Sequence, residues 1–304
     1  MKDLIDRLVS TAGQIIVGKE PTIRLALACL IARGHLLIED LPGVGKTTLA
    51  HVLARTLGLQ FQRIQFTSDL LPADILGVSI YERQSGVFTF HPGPIFAQVI
   101  LADEVNRATP KAQSALLEAM EEHQVTIEGE TRRLPDPFFV IATQNPAHLI
   151  GTFPLPESQL DRFLMRIEMG YPDPAAERAL LKGRDRRELL EELPPCASPQ
   201  QLLELQRAAS LIHVADPLVD YLQALLAHTR NSDHFQGGLS PRAGLALLRG
   251  ARAWALMAGR REVVPEDLQA ILPAVVGHRL RRQDDGDHSN ARVATELLQA
   301  VAIP

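Results

Sequence analysis

The chain has 304 residues, of which 46% are apolar and 22% are charged, and its formal net charge is −5. This composition is typical of a soluble protein with one large or two modest domains, and the acidic balance argues against a nucleic-acid binder, which usually presents a basic face. No apolar run approaches the roughly 18 residues that cross a bilayer, and two cysteines are too few for a disulfide framework, so we expect a cytoplasmic protein without a transmembrane segment or a nucleic-acid partner.

An amphipathic helix is predicted to begin within Met1–Asp6, and helix and strand then alternate up to about residue 170. Helices are predicted at Glu20–Arg33, Lys46–Leu57 and Lys111–His123, the last with Thr109 as its N-cap. Apolar runs typical of buried parallel strands are Leu36–Glu39, Arg63–Phe66, Val99–Asp103, Phe138–Thr143 and Leu164–Met169. This alternation predicts an α/β fold with a parallel sheet.

Two predicted β-hairpins interrupt the alternation. Ser79–Arg83 pairs with Val87–His91, and Gln124–Glu128 pairs with Thr131–Leu134, each pair around a turn that contains glycine. Neither hairpin is needed to complete a parallel sheet, so both are expected to be insertions. Loops on a rigid scaffold often carry partner contacts.

The strand signal disappears from Tyr171 onward. Helices are expected to begin at Ser198-Pro199, Asp216-Pro217 and Ser240-Pro241, and Ser198 has the capping-box spacing to Gln201. The sequence therefore predicts an α/β domain over residues 1–170 and an all-helical domain over residues 171–304. Residues 284–287 are predicted to form a solvated turn.

The most informative segment follows the first predicted strand. Its apolar residues end at a glycine-bearing turn, and Lys46-Thr47 then opens a helix, which is the local design of a phosphate-binding loop. Loop and helix-start amides have no intrahelical partner and favour an anion, so the predicted nucleotide contacts are Pro42, Gly43, Val44, Gly45, Lys46, Thr47 and Thr48. The first glycine of the usual pattern is replaced by Asp40. The alternative is a chance turn before an amphipathic helix.

A second motif places two carboxylates at the end of the strand Val99–Asp103. The carboxyl edge of an open α/β sheet is where ligands bind, and the phosphate loop leaves the same edge. Mg²⁺ is usually held by one or two protein oxygens together with phosphates and waters, so Thr47 and Asp103 are its predicted ligands. Glu104 is predicted to orient or deprotonate the attacking water. The alternative is a pair of acids that merely end a strand.

Asn145 follows the strand Phe138–Thr143 and is predicted to hold the water between Glu104 and the γ-phosphate. The alternative is an ordinary turn asparagine before proline, which is common.

With these motifs in hand, the sequence resembles the MoxR type of AAA+ ATPase along essentially its whole length. The matching segments are Glu39–Thr47, Leu101–Ala108, Ala142–Pro146, Leu155–Phe163 and Leu239–Ala243. Each is weak or moderate alone, but their order is specific. The resemblance implies an AAA+ P-loop core, in which flanking helices and hairpin insertions surround a parallel sheet, followed by a helical lid. An acidic residue at the position of Asp40 is also common in proteins of this type.

The resemblance assigns roles that spacing could not. Arg162 matches the arginine finger, which reaches the nucleotide of the neighbouring subunit, and Arg242 matches a second sensor carried by the lid over its own subunit's nucleotide. The alternatives are a local pair of Arg162 with Asp161 or Glu157, and a solvated Arg242. Val17-Gly18 matches the segment that contacts adenine, although composition alone favours a strand-like linker over residues 15–18. Gln65 is a candidate to restrain Glu104.

The resemblance implies an ATPase motor that binds ATP with Mg²⁺ and acts as a homo-oligomeric ring, expected to be a hexamer. Family members typically act as chaperones or assembly factors, often with a von Willebrand factor A domain protein and sometimes in metal-centre insertion. The two hairpins are expected to face a pore or a protein client. Two alternatives remain at this point: a magnesium-chelatase-like ATPase subunit, and a nucleotide-switched scaffold without productive turnover.

Overall fold

The computed structural model describes residues 1–145, 152–283 and 290–303. Its strands are β1 (Leu36–Glu39), β2 (Phe61–Gln65), β3 (Gly77–Glu82), β4 (Val87–Pro92), β5 (Val99–Asp103), β6 (Gln124–Ile127), β7 (Glu130–Arg133), β8 (Phe139–Gln144) and β9 (Met165–Ile167). Its α-helices are α1 (Lys2–Ile15), α2 (Glu20–Ile31), α3 (Lys46–Thr56), α4 (Pro72–Leu76), α5 (Pro110–Glu122), α6 (Glu157–Leu160), α7 (Pro174–Lys182), α8 (Arg186–Glu192), α9 (Pro199–Ser210), α10 (Asp216–Asn231), α11 (Pro241–Met257), α12 (Pro265–Val276) and α13 (Asn290–Ala300).

The central sheet has the order β2-β5-β8-β1-β9, and every neighbouring pair is parallel. The five predicted strands are all present, with ends that differ by a few residues. Parallel strands need crossover connections, and helices supply them on both faces of the sheet. The carboxyl ends of β1, β5 and β8 consequently meet at one edge, where the predicted phosphate loop and acids lie. The predicted fold class is confirmed.

Both predicted hairpins form separate two-stranded antiparallel sheets, β3-β4 and β6-β7. The first is rich in exposed apolar side chains: Phe88 is 71% exposed and Tyr81 is 53% exposed. Arg132 of the second hairpin lies over the ring of Phe90, 4.1 Å from its centroid, so the two hairpins contact each other.

After β9 the elements of the described residues are helices, with two isolated β-bridges. The Ser198 hydroxyl accepts from the Gln201 amide and the Gln201 side chain accepts from the Ser198 amide, so the predicted capping box is present. One predicted start shifts: Asp216 is the first helical residue of α10, and Ala215 is the N-cap. The predicted turn at 284–287 lies outside the described residues.

Two apolar clusters hold the layers together. One joins α1, α2 and α3 to one face of the sheet and to the helices after β9. The other joins the opposite face to α5 and Phe163. Burial of such faces is the main stabilising term in folding, and here it fixes the C-terminal helices against the sheet-bearing part. Among the helices described, none combines the length and apolarity needed for a bilayer span.

The N-terminal linker differs from the expectation. Residues 15–18 do not form a strand: α1 continues to Ile15, and the chain then turns to Gly18, which has φ +74°. The apolar residues Ile15 and Ile16 are buried against the core, so their apolar character reflects helix packing rather than strand pairing.

Candidate nucleotide-binding and hydrolysis site

The phosphate loop connects β1 to α3, as the sequence predicts. Gly43 and Gly45 have φ of +84° and +95°, a backbone conformation that glycine adopts without a Cβ penalty. Gly45 is the N-cap of α3 and supplies no capping side chain, so the first amides of the helix face outward for an anion. Lys46, Thr47 and Thr48 form the first turn of α3.

Asp40 takes the place of a glycine for a structural reason. One of its carboxylate oxygens accepts hydrogen bonds from the amides of Met169 (2.7 Å) and Gly170 (2.6 Å), and the other accepts from the Leu41 amide at 2.7 Å. The carboxylate therefore ties the start of the phosphate loop to the chain that leaves β9. Sequence reasoning did not find this contact, because its partners are backbone amides distant in the chain.

Lys46 is the buried cation of the site, with 8% of its surface exposed. Its Nζ donates to the Asp40 carbonyl at 2.5 Å and to Asn145 Oδ1 at 3.0 Å. Burial lowers the pKa of Lys46, and the negative charges of Asp40, Asp103 and Glu104 act in the opposite direction. The ammonium thus lies within electrostatic reach of both acids at the end of β5.

Glu104 is held by several donors at once. Its Oε1 accepts from Asn145 Nδ2 at 2.9 Å, and its Oε2 accepts from Gln65 Nε2 at 3.0 Å and pairs with Arg107 at 3.2 Å. Its backbone adopts the left-handed conformation, with φ +57° and ψ +47°, which is uncommon for a residue with a side chain and frequent at functional sites. The Thr143 hydroxyl, accepting from the Glu104 amide at 2.9 Å, supports this turn.

Asp103 is 7% exposed, and both its carboxylate oxygens have partners. Oδ1 accepts from the Thr143 hydroxyl at 2.6 Å, while Oδ2 accepts from Arg63 Nε at 3.0 Å and Nη2 at 2.5 Å. Arg63 and Thr143 were not among the predicted site residues. Thr143 could have been suggested by its place at the end of a buried strand, but Arg63 carries no sequence signal.

The oxygen atoms of the site suit Mg²⁺ better than a metal ion bound entirely by protein side chains. No group of three or more His, Cys, Asp or Glu side chains able to hold a metal is found in the described part of the chain. Thr47 and Asp103 offer oxygen ligands only, which suits a cation that takes its remaining ligands from phosphates and waters.

Val17-Gly18 packs against the beginning of α7. A Cβ on Gly18 would lie 2.9 Å from Ala176 Cβ, and Lys19 Nζ donates to the Tyr171 carbonyl at 2.6 Å. The segment predicted to contact adenine thus meets the first helix after β9. Its role toward the base stays a prediction.

Arg162 and Arg242 lie together at the opposite edge of the sheet. Arg162 Nη2 is 3.0 Å from Glu121 Oε2, and Arg242 pairs with the other oxygen of the same carboxylate. His35, which precedes β1, fixes this region: its ring contacts the Met120 carbonyl at 3.1 Å and its own carbonyl accepts from the Leu164 amide at 2.9 Å. The four residues of β1 separate this edge from the phosphate loop by about 13 Å.

Comparison with known proteins identifies the family. Residues 35–165 match the ATPase family associated with various cellular activities (AAA), and residues 227–298 match the AAA lid domain. Chaperone MoxR1 of Mycobacterium tuberculosis is 40% identical, with 99% of this chain and 82% of that protein covered. The chain belongs to the MoxR family of AAA+ ATPases. Protein YeaC of Bacillus subtilis is 42% identical, with 99% and 95% covered.

The fold comparison agrees. The crystal structure of a candidate ATPase from Cytophaga hutchinsonii superposes with a TM-score of 0.89 at 36% identity, covering 100% of this chain and 96% of that one. This member of the MoxR family is therefore an ATPase with an AAA core followed by a helical lid. Both the predicted family and the predicted enzyme class are confirmed.

One predicted position in this ATPase is wrong. Arg242 does not lie over the phosphate loop of its own chain, because α11 begins at the amino edge of the sheet, beside Arg162. The lid is fixed there by Arg279, which is 5% exposed and donates to Asp161 Oδ1 at 2.7 Å and to the Phe163 carbonyl at 2.6 Å. Asp161 thus pairs with Arg279, and Glu157 pairs with Arg281. Among the described residues, Arg162 pairs with Glu121 and not with either acid considered for a local pair.

Proposed function

We propose that this ATPase binds ATP with Mg²⁺ at the carboxyl edge of the sheet, between a core of residues 1–170 and a lid of residues 171–304. The observation that carries the proposal is one chain of hydrogen bonds, from Lys46 to Asn145, from Asn145 to Glu104 and from Gln65 to Glu104. It connects the phosphate-binding cation to a carboxylate that can activate water. Binding and hydrolysis to ADP and phosphate would therefore share one network.

Each residue of the network has a distinct proposed role. Lys46 neutralises charge on the β- and γ-phosphates, Asn145 positions the attacking water and Glu104 orients or deprotonates it. Thr47 and Asp103 would hold Mg²⁺, which supplies charge neutralisation on the phosphates when bound. Arg63 already engages one oxygen of Asp103, which favours contact with the hydrated ion through water.

We further propose that a second copy of the chain completes the site. Arg162 and Arg242 are 30% and 46% exposed, and both lie at the edge away from their own phosphate loop. Arginines that stabilise charge on the γ-phosphoryl can act in trans. Repetition of such a head-to-tail contact closes into a ring, and we propose a hexamer.

The biological role we propose is that of a chaperone or assembly factor, which remodels a protein client or assists metal-centre or cofactor insertion. Relatives named as MoxR proteins that match over nearly the whole chain favour this function over a magnesium-chelatase-like subunit. The exposed apolar residues of β3-β4, Tyr81 and Phe88 among them, suit contact with a client. A von Willebrand factor A domain protein is the proposed partner, and the cytoplasm the proposed location.

Glu104→Gln tests the enzymatic proposal. Because the amide keeps the size of the side chain and one acceptor oxygen but removes the base, we expect ATP binding to remain and turnover to fall by about 10²- to 10⁴-fold. Glu118→Gln, an exposed position on α5, is the matched control. Turnover equal to that of the parent protein would contradict the proposal, and full biological function of Glu104→Gln would favour the scaffold alternative.

A mixing experiment tests the trans role of Arg162. Lys46→Ala removes nucleotide binding from one protomer, and Arg162→Ala removes the finger from another. In rings that contain both, the Lys46→Ala protomer supplies an intact Arg162 to its neighbour's bound ATP, so turnover should exceed that of either variant alone. Verified mixed rings without such recovery would count against the trans role.

A further inference from the structure

A third arginine faces the cavity that holds Arg162 and Arg242. Arg249 follows Arg242 by seven residues on α11, with Ala246 between them on the same helix face. Arg162, Arg242 and Arg249 border a cavity of about 180 Å³ at the amino edge of the sheet, whose lining also includes Arg33 and Arg279. Neither the motifs nor the proposed hydrolysis scheme assigns a role to Arg249.

The cavity contains more positive charge than the chain neutralises. Glu121 already gives one oxygen to Arg162 and the other to Arg242. Asp161, the next carboxylate at the cavity, gives its oxygens to Arg279 and to the Ser240 hydroxyl. Across the described ranges, Arg249 has no carboxylate at ion-pair distance. Its counter-charge must therefore come from solvent or from another molecule.

The surroundings of Arg249 favour an external anion over bulk solvent. Although the side chain is exposed overall, packing against the cavity wall lowers the pKa of Arg249 by desolvation. Cys29 acts in the opposite direction, and the charge of Arg242 lowers the pKa further. Arginine binds phosphate oxygens through two parallel N–H donors. Five arginines line the cavity, but Arg279 pairs with Asp161 and Arg33 lies 3.7 Å from Asp136. The guanidinium groups of the other three, Arg162, Arg242 and Arg249, are suited to a multiply charged phosphate group.

We propose that Arg249 is a third arginine that contacts the terminal phosphates of ATP bound to the neighbouring protomer, beside Arg162 and Arg242. The inference rests on the proposed function, because it requires the two edges of the sheet to meet between protomers. Glu121 keeps Arg162 and Arg242 side by side, and Arg249 adds the charge that the γ-phosphoryl group needs as it leaves.

Arg249→Ala should lower kcat by about tenfold or more, the value of one charge-assisted hydrogen bond to a phosphate. Nucleotide affinity and ring assembly should stay within about twofold, because Lys46 and the phosphate loop are untouched. Arg249→Lys should recover part of the lost turnover. Arg207→Ala is the matched control, since Arg207 is an exposed lid arginine on α9, outside this cavity.

Mixed rings of Arg249→Ala and Lys46→Ala decide whether Arg249 acts across the interface. The Lys46→Ala protomer carries an intact Arg249, so turnover should rise above that of either variant alone, which also shows that Arg249→Ala is folded. No rise here, with recovery in the Arg162→Ala mixture, overturns the inference and leaves the proposed function standing. No recovery in either mixture contradicts the shared site itself. Weaker ring assembly with unchanged kcat per assembled ring overturns the inference too, since Arg249 would then bind a neighbour's acidic side chain.

Discussion

The two edges of the central sheet differ in how completely their charged groups are satisfied. At the carboxyl edge, Lys46, Asn145, Glu104 and Gln65 form a continuous chain of hydrogen bonds, so the groups are held before any ligand arrives. At the amino edge, two arginines share Glu121 and remain partly open to solvent. Preorganised groups suit binding and water activation, whereas exposed cations suit an anion delivered by another molecule.

The difference supports the proposal that a single chain carries two halves of an active site, one at each edge of the sheet. The proposed catalytic groups lie at the carboxyl ends of β1, β5 and β8. The length of these strands separates the groups from the arginines at the amino edge. Within one protomer, Arg162 and Arg242 are held on Glu121 at the amino edge, away from the phosphate loop at the carboxyl end of β1. The proposed active site, with both halves, therefore needs two protomers.

The largest expected effect comes from removing the amino-edge half. Arg162→Ala should lower kcat by at least about 10³-fold, because the charge developing on the γ-phosphoryl group loses its stabilising guanidinium. Nucleotide affinity should change little, since the phosphate loop is intact. Steady-state turnover and nucleotide titration measure the two quantities. Equal turnover per protomer at dilutions that dissociate the ring would contradict the comparison of the two edges.

Acid should lower the stability of the amino edge of the sheet, where His35 is buried. Burial lowers the pKa of His35 from 6.5 to about 4, with the charges of His123 and Arg249 acting in the same direction and the hydrogen bond to Met120 opposing them. Between pH 6.5 and pH 4 the imidazole of His35 is therefore protonated in the unfolded chain and neutral in the folded chain. The contribution of His35 to the free energy of unfolding is fully present above pH 6.5 and is lost as the pH falls from 6.5 toward 4. The full contribution is about 3 kcal/mol.

Denaturant unfolding at pH 7 and pH 5 measures this effect. In His35→Asn the part of the pH dependence that comes from His35 should disappear. The pKa of His278 is lowered by burial in the same direction, so a residual slope is expected. An unchanged slope in His35→Asn would show that the imidazole is not buried in its neutral form.

A smaller effect is expected where the N-terminal segment meets the lid. Gly18→Ala places a methyl group 2.9 Å from Ala176 Cβ at a φ of +74°, which should cost about 1–2 kcal/mol of stability. If Val17-Gly18 contacts adenine, ATP affinity should fall several-fold. Gly13→Ala is the matched control, because nothing lies within 4 Å of its Cβ and alanine favours the helix. Thermal melting and nucleotide titration distinguish the outcomes.

The smallest effect tests the restraint on Glu104. Gln65→Ala removes one of the donors to the Glu104 carboxylate and leaves Asn145 and Arg107 in place, so basal turnover should rise by about two- to threefold. Gln62→Ala, an exposed glutamine on the same strand, should leave turnover unchanged. A tenfold loss in Gln65→Ala would instead make Gln65 a requirement for hydrolysis.

The sequence by itself determined the parts of the molecule that depend on local order. The phosphate loop Gly43-Val44-Gly45-Lys46-Thr47 and the acids at the end of β5 could be located from the sequence. A loop, a helix start and a strand end are short-range structures with residue-specific backbone needs. The five strands and most helix starts follow for the same reason. Only their ends shifted, and residues 15–18 were misjudged because an apolar run fits either a buried helix or a strand.

Only the tertiary structure decided which distant side chains meet. The pairs are Asp40 with the chain after β9, Arg63 with Asp103, and Arg242 with Arg162 at Glu121. They are separated by 40 to 130 residues, and no local pattern encodes them. The direction in which the lid packs, fixed by buried Arg279, set the edge at which Arg242 lies. That choice arises from burial summed over the whole core, and it reassigned Arg242 from its own nucleotide to the far side of the sheet.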